Sequence, residues 1–121
     1  MKFPIMVLSY GEFSESNKKL FFYEDHKEIS ILPIFTDLII ASNFQKYASK
    51  ILKKHKDNRK LEIQICSNKQ YAIDMLITIT TLNKNIQTIA IDPIPPDKRR
   101  KSIAYTKTTI EKMLEELSNT L

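Results

Sequence analysis

Twice along this chain the hydrophobic pattern changes from strand alternation to the helical repeat, each time across residues that cap helices. In "ISILPIFTD" an apolar run ends in Thr36 and Asp37. From Asp37 to Lys54, Ile40, Phe44, Tyr47, Ala48 and Ile51 then recur at helical spacing. "LEIQIC" alternates as a strand and gives way to "SNKQ", where Ser67 and Gln70 have the S-x-x-Q spacing of a capping box. Ala72, Met75, Leu76 and Ile79 supply the next stripe. Two successive strand-helix-strand units in one sheet are expected to be parallel and right-handed, so their strand tails share a rim. That rim carries Thr36, Asp37, Cys66, Ser67, Asn68 and Asp92, at the carboxyl ends of the strands, where open α/β sheets usually bind ligands.

The remaining elements fit around these units. Residues 3–10 read as a first strand, "KLFFYED" as a second and "EISILPIF" as a third, together an antiparallel meander. Pro33 cannot donate to a ladder and belongs where its nitrogen faces no partner. "IQTIAID" reads as a strand, "PIPP" interrupts regular structure, and a last helix is expected over about 103–118, with Ile103, Ile110, Met113, Leu114 and Leu117 on one side. The order is βββαβαβα: an α/β (α+β) fold in a single domain over 1–121, with a mixed sheet of about five strands and three helices. Gly11 is the only glycine, so left-handed turns elsewhere must use Asn, Asp or longer loops. One glycine also cannot build a Gly-rich phosphate loop.

Apolar residues make up 42% of the chain and charged residues 27%, ordinary for a globular domain and too apolar for disorder. The longest apolar runs, such as "DLIIA", fall far short of the ~18 residues of a membrane span. Cys66 is the only cysteine, which excludes an internal disulfide and any multi-cysteine metal site, and a cytoplasmic, bacterial setting is expected. The net charge of +5 is unevenly placed. Seven Lys/Arg against one Asp lie between Lys46 and Lys60, and six against two acids between Asp97 and Lys112, leaving the rest of the chain at −5. Codon usage rich in lysine is an alternative source of the excess.

Several constellations could carry chemistry. Cys66, at a strand end before a helix N-terminus, is placed where a thiol pKa can fall, which would suit a small thiol enzyme or hydrolase. His26 and His55 lie where nothing ties either to it as a base, and a structural cysteine is the favoured reading. Asp37 and Asp92 could pair for metal binding or acid-base work, yet each has a local explanation, as a cap and as a strand-end residue. Lys98, Arg99, Arg100 and Lys101, with Tyr105 able to stack on a base, form the candidate polyanion patch, with Arg59 and Lys60 as further cations. A solvated loop is the simpler account of the patch. Phe21, Phe22 and Tyr23 are consecutive on a strand, so both faces of the sheet need cover, from a helix or a second subunit.

"ILPIFTD", the following helix with Phe44, and "IAIDP" before a proline-broken exit resemble the N-terminal domain of SseB-like proteins, over roughly 3–93. Asp92-Pro93 stands where that family shows Asn-Pro. The resemblance carries over no reaction, cofactor or catalytic residue and favours a non-catalytic role. From Leu32, Pro33, Phe35 and Thr36 it implies a buried Phe35 and a capping Thr36. The expected function is a non-enzymatic binding or regulatory domain contacting another protein, with a homodimer among the options. Nucleic-acid or polyanion binding through 98–101 is the alternative, and no membrane partner is expected.

Overall fold

Four successive side chains near the start of the chain, Ile5, Met6, Val7 and Leu8, are all buried. Strand side chains alternate, so this requires a sheet covered on both faces. The computed structural model describes residues 4–10, 20–24, 29–82 and 86–119. Its elements are β1 (Ile5–Tyr10), β2 (Tyr23–Glu24), β3 (Ser30–Ile34), α1 (Leu38–Lys54), β4 (Leu61–Cys66), α2 (Lys69–Leu82), β5 (Thr88–Ile94), β6 (Ala104–Thr109) and α3 (Ile110–Asn119). The fold is α+β, with mixed parallel and antiparallel pairing. The "EDHKE" turn and Gly11 lie largely or wholly outside the described residues.

β1 pairs antiparallel with β4 along its whole length, while β2, β3, β5 and β6 form a second ladder in that order. One bridge joins the two ladders: Met6 and Phe35 exchange both backbone hydrogen bonds, each 2.8 Å. At its other end β1 bridges Leu20 through Ser9 instead, so the segment leading into β2 wedges between β1 and β3. The expected meander is therefore only partial, because β1 finds its main partner in β4. β3 and β5 are parallel neighbours. Both β3 and β4 run antiparallel to β1, so β3, β4 and β5 all point one way.

Pro33 sits within β3 opposite Ala90 without breaking that ladder. Successive residues of a strand direct their backbone groups to opposite edges. Phe35 bonds toward β1, so the Pro33 nitrogen, two residues back, faces the same edge, beyond the Tyr23–Ile31 pairing with β2. No donor is missed there.

α1 packs over β1, β4 and β5, and α2 and α3 pack together on the opposite face. Met6, Leu8 and Phe35 point into the α1 side with Ala41, Phe44 and Ala48. Ile5, Val7, Leu32 and Ile34 point to the α2/α3 side with Met75, Leu76 and Met113. Phe44 anchors the first core: its ring centroid lies 5.6 Å from Phe35, 5.8 Å from Tyr23 and Tyr47, and 6.5 Å from Phe21. Phe22 packs on the other core, so helices cover the aromatic strand on both faces.

The β-branched "ITITT" is helical, with Met75, Leu76 and Ile79 buried in the core, and Thr78, Thr80 and Thr81 donate their hydroxyls to the carbonyls of Asp74, Leu76 and Ile77, at 2.8, 2.7 and 2.9 Å. The last helix is shorter than its periodicity predicts. Residues 104–109 are a strand paired with β5, and α3 begins at Ile110 with Lys112 N–H donating to Thr109 Oγ1 at 3.1 Å. "AYTKTT" has the threonine content of a strand, and the hairpin partner in β5 overrides the helical spacing that includes Ile103. Among the described residues two that are not glycine take left-handed backbone, Lys56 (φ 59°) and Asp92 (φ 48°). Lys56 ends α1: its N–H donates to Lys53 O, and Asp57 N–H to Leu52 O, the hydrogen-bond pattern that usually places glycine at this position.

Candidate functional site

The carboxyl ends of β3, β4 and β5 lie on adjacent or next-adjacent strands, joined through β1. Ile5 is opposite Cys66, Met6 bridges Phe35, and Thr36 is bonded to Asp92. The strand ends that carry Thr36, Asp37, Cys66, Ser67, Asn68 and Asp92 thus lie near one another, and the six residues divide into separate roles.

Thr36 and Asp92 form a clasp between β3 and β5. Thr36 N–H donates to Asp92 Oδ1 at 2.8 Å and its hydroxyl to Asp92 Oδ2 at 2.5 Å. The local backbone makes this possible. Between Ile91, opposite Thr106, and Ile94, opposite Ala104, β5 carries two residues against one on β6, a β-bulge. Asp92 takes left-handed backbone within that bulge, the conformation that Asp tolerates better than most residues. Thr36 is therefore not the cap that the resemblance implies. Asp37 is the N-cap of α1, accepting from Ile39 N at 2.8 Å and Ile40 N at 3.1 Å. The two carboxylates serve different donors, and neither is aimed at a shared ion.

At the β4 end, Asn68 caps α2, its Oδ1 accepting from Tyr71 N at 2.8 Å. Ser67 is exposed and not the cap, and Gln70 bonds forward to Asp74 at 2.9 Å, so the expected capping box does not form. Cys66 is fully buried in the α2/α3 core with Sγ 3.7 Å from Met75 Sδ. A nucleophile must reach solvent, which removes Cys66 from the rim's chemistry.

What the sequence reading missed is the apolar character of this edge. Among the described residues seven large hydrophobic side chains are exposed, and five of them, Leu38, Ile39, Ile65, Tyr71 and Ile94, lie at or just beyond the ends of β3, β4 and β5. Ile39 is 73% exposed and Ile65 59%. For Leu38, Ile39 and Tyr71 the signal was legible as apolar residues close to the caps, at helix positions outside the stripe, whereas Ile65 and Ile94 are strand residues. A depression of about 490 Å³ opens next to the clasp, floored by Ile34, Ile91 and Met113 and edged by Thr36, Thr106 and Glu116.

The basic cluster is a built loop. Asp97 accepts from Arg99 N and Arg100 N, each 2.8 Å, and these backbone donors hold its carboxyl below the usual carboxylate range. Arg100 turns inward onto Pro95 O at 2.9 Å and Ser102 O at 3.3 Å, so its guanidinium braces the loop. Lys98, Arg99 and Lys101 remain exposed. Lys101 and Tyr105 border a cavity of about 380 Å³ together with Tyr23 and Tyr47. Arg59 is engaged elsewhere: it pairs with Asp57 at 2.7 Å and stacks 3.9 Å above the Tyr10 ring. Burial pushes the Tyr10 hydroxyl pKa up, against the smaller opposing pull of Arg59.

Among the described residues, no helix is long and apolar enough to cross a membrane. No protein-family model matches the chain, and no curated protein matches it.

Proposed function

We propose that the chain is a non-enzymatic binding domain, related to SseB-like proteins, which contacts another protein through the apolar rim around the Thr36–Asp92 clasp. The observation that carries this reading is that five of the seven large hydrophobic side chains exposed among the described residues, Leu38, Ile39, Ile65, Tyr71 and Ile94, lie at one edge of a domain with two buried cores. Exposed apolar clusters rimmed by polar groups mark interaction sites, and returning each such side chain to a dry interface contributes roughly 1–2 kcal/mol. The buried Cys66 and the separate duties of Asp37 and Asp92 favour binding over catalysis at this edge. The test is capture of partners from a lysate of the source cells by the wild type and by Leu38→Ser/Ile39→Ser. A rim interface predicts retention at high salt by the wild type and loss in the variant.

A second reading is supported by the loop at 97–102. Lys98, Arg99 and Lys101 next to a cavity bordered by Tyr23, Tyr47 and Tyr105 would suit a polyanion with planar groups to stack. It predicts RNA or DNA affinity that falls with salt, with a log-log slope of about −2 for a single strand if about three phosphates are neutralised. Salt-insensitive binding would exclude it.

A further inference from the structure

Among the described residues β4 is an outer strand of the sheet, paired with β1 on one side only. Met6 directs both backbone groups to Phe35, so its neighbours Ile5 and Val7 face β4 and bond to Cys66 and Gln64. The backbone groups of Leu61, Ile63 and Ile65 consequently point outward. The Leu61 carbonyl already accepts from Gln45 Nε2 at 2.7 Å. Ile63 and Ile65 are left, and among the described residues no strand pairs with them.

Proteins ordinarily blunt such edges with lysine, proline, bulges or short strands. The opposite edge of this sheet follows that rule: β6 has Lys107 exposed in its middle and pairs β5 through a bulge. β4 has none of these devices. Its register against β1 is unbroken from Leu61 to Cys66, it has no proline or lysine, and Ile65 is 59% exposed beside half-buried Ile63.

We infer that β4 pairs antiparallel with β4 of a second copy of this chain about a two-fold axis at Gln64, joining the two sheets into one. The occupant follows from the strand's complementarity to itself. In this register Ile63 of each copy exchanges both backbone bonds with Ile65 of the other, and Ile63 and Ile65 side chains meet on the α1 face. Gln64 faces Gln64, held by its bond to Ser9 Oγ at 3.0 Å. Glu62, the one charge in the strand, faces the uncharged Cys66, so no like charges oppose. A register shifted to centre on Ile63 would need the Leu61 carbonyl, which Gln45 already occupies.

This inference goes beyond the rim reading: it places a second copy on the β4 edge, which shares only Ile65 with the rim. The experiment is light scattering over a concentration series, with hydrogen exchange resolved at single amides, on the wild type, Ile65→Lys and Leu38→Ser/Ile39→Ser. The inference predicts a dimer with slow exchange at the Ile63 and Ile65 amides. Ile65→Lys should raise the dimer Kd by roughly 100-fold, about tenfold for each of the two isoleucines returned to water, and should release both amides while the circular dichroism stays native. Leu38→Ser/Ile39→Ser should leave the dimer intact. Ile65→Pro, which removes an outward N–H while leaving the ladder bonds of Gln64 and Cys66 to β1 in place, serves as the second variant and should also give monomer. A monomer whose Ile63 and Ile65 amides exchange rapidly overturns the inference and leaves the rim free for a different protein. A dimer with those amides unprotected and broken by Leu38→Ser/Ile39→Ser also overturns it, while sustaining the rim.

Discussion

Replacing Asp92 by alanine removes both halves of the clasp and places a Cβ-bearing residue without a local hydrogen-bonding side chain at φ 48°. Each lost bond to the carboxylate costs about 1 kcal/mol at a site that water can enter. The left-handed backbone adds ~1 kcal/mol for alanine. The sum is about 3 kcal/mol, and with a urea m-value of ~1.5 kcal/mol/M the midpoint falls by about 2 M. Asp92→Gly loses the same bonds but tolerates the backbone, so it should be more stable than the alanine variant by roughly 0.5–1 kcal/mol after glycine's entropic cost. Thr36→Val removes the hydroxyl bond alone and should cost about 1 kcal/mol. The double variant Thr36→Val/Asp92→Ala should then show a coupling of ~1 kcal/mol. Urea denaturation of the five proteins measures all of this. A glycine variant no more stable than the alanine one refutes the backbone argument, and strict additivity refutes the clasp.

Three further outcomes follow from the geometry. Lys56→Gly relieves the left-handed C-terminal position of α1 and should raise stability by roughly 0.5–1 kcal/mol, read as a higher urea midpoint at unchanged m. Cys66 should resist a thiol reagent in the native protein and react at the rate of a free thiol once denatured, because its sulfur is enclosed beside Met75. Asp97 has a carboxyl pKa depressed by Arg99 N–H and Arg100 N–H. The turn at 97–100 is therefore fully stabilised above the usual carboxylate range and loses that contribution as pH falls through the depressed value. Amide shifts of Arg99 and Arg100 during an acid titration should report this opening, while β5 and β6 amides stay unchanged.

The rim was legible in the sequence because it depends on local signals. Period switches at Asp37 and Asn68 announce helices that must start where strands stop, and a helix between two strands commits them to one direction. The stripe Ala72, Met75, Leu76 and Ile79 is buried, as its spacing demands. The errors fall where tertiary partners decide. "AYTKTT" carries both periods, and only its position beside β5 selects the strand. Thr36 and Asp37 are both competent caps, and the choice between them is made by Asp92, 56 residues away. The main partner of β1 could not be read from adjacency, since β4 lies beyond two intervening strands and a helix. Arg100 resembled its charged neighbours in sequence, although carbonyls at Pro95 and Ser102 hold it inward.

Site-specific photo-cross-linking in the source cells reads out the proposed protein contact at the carboxyl-end rim. A photoreactive residue at Ile39 should give discrete protein adducts, and one at Ile77, which is 50% exposed on α2 away from the strand ends, should give none. Adducts of equal yield from both positions, or none from Ile39, would contradict the account.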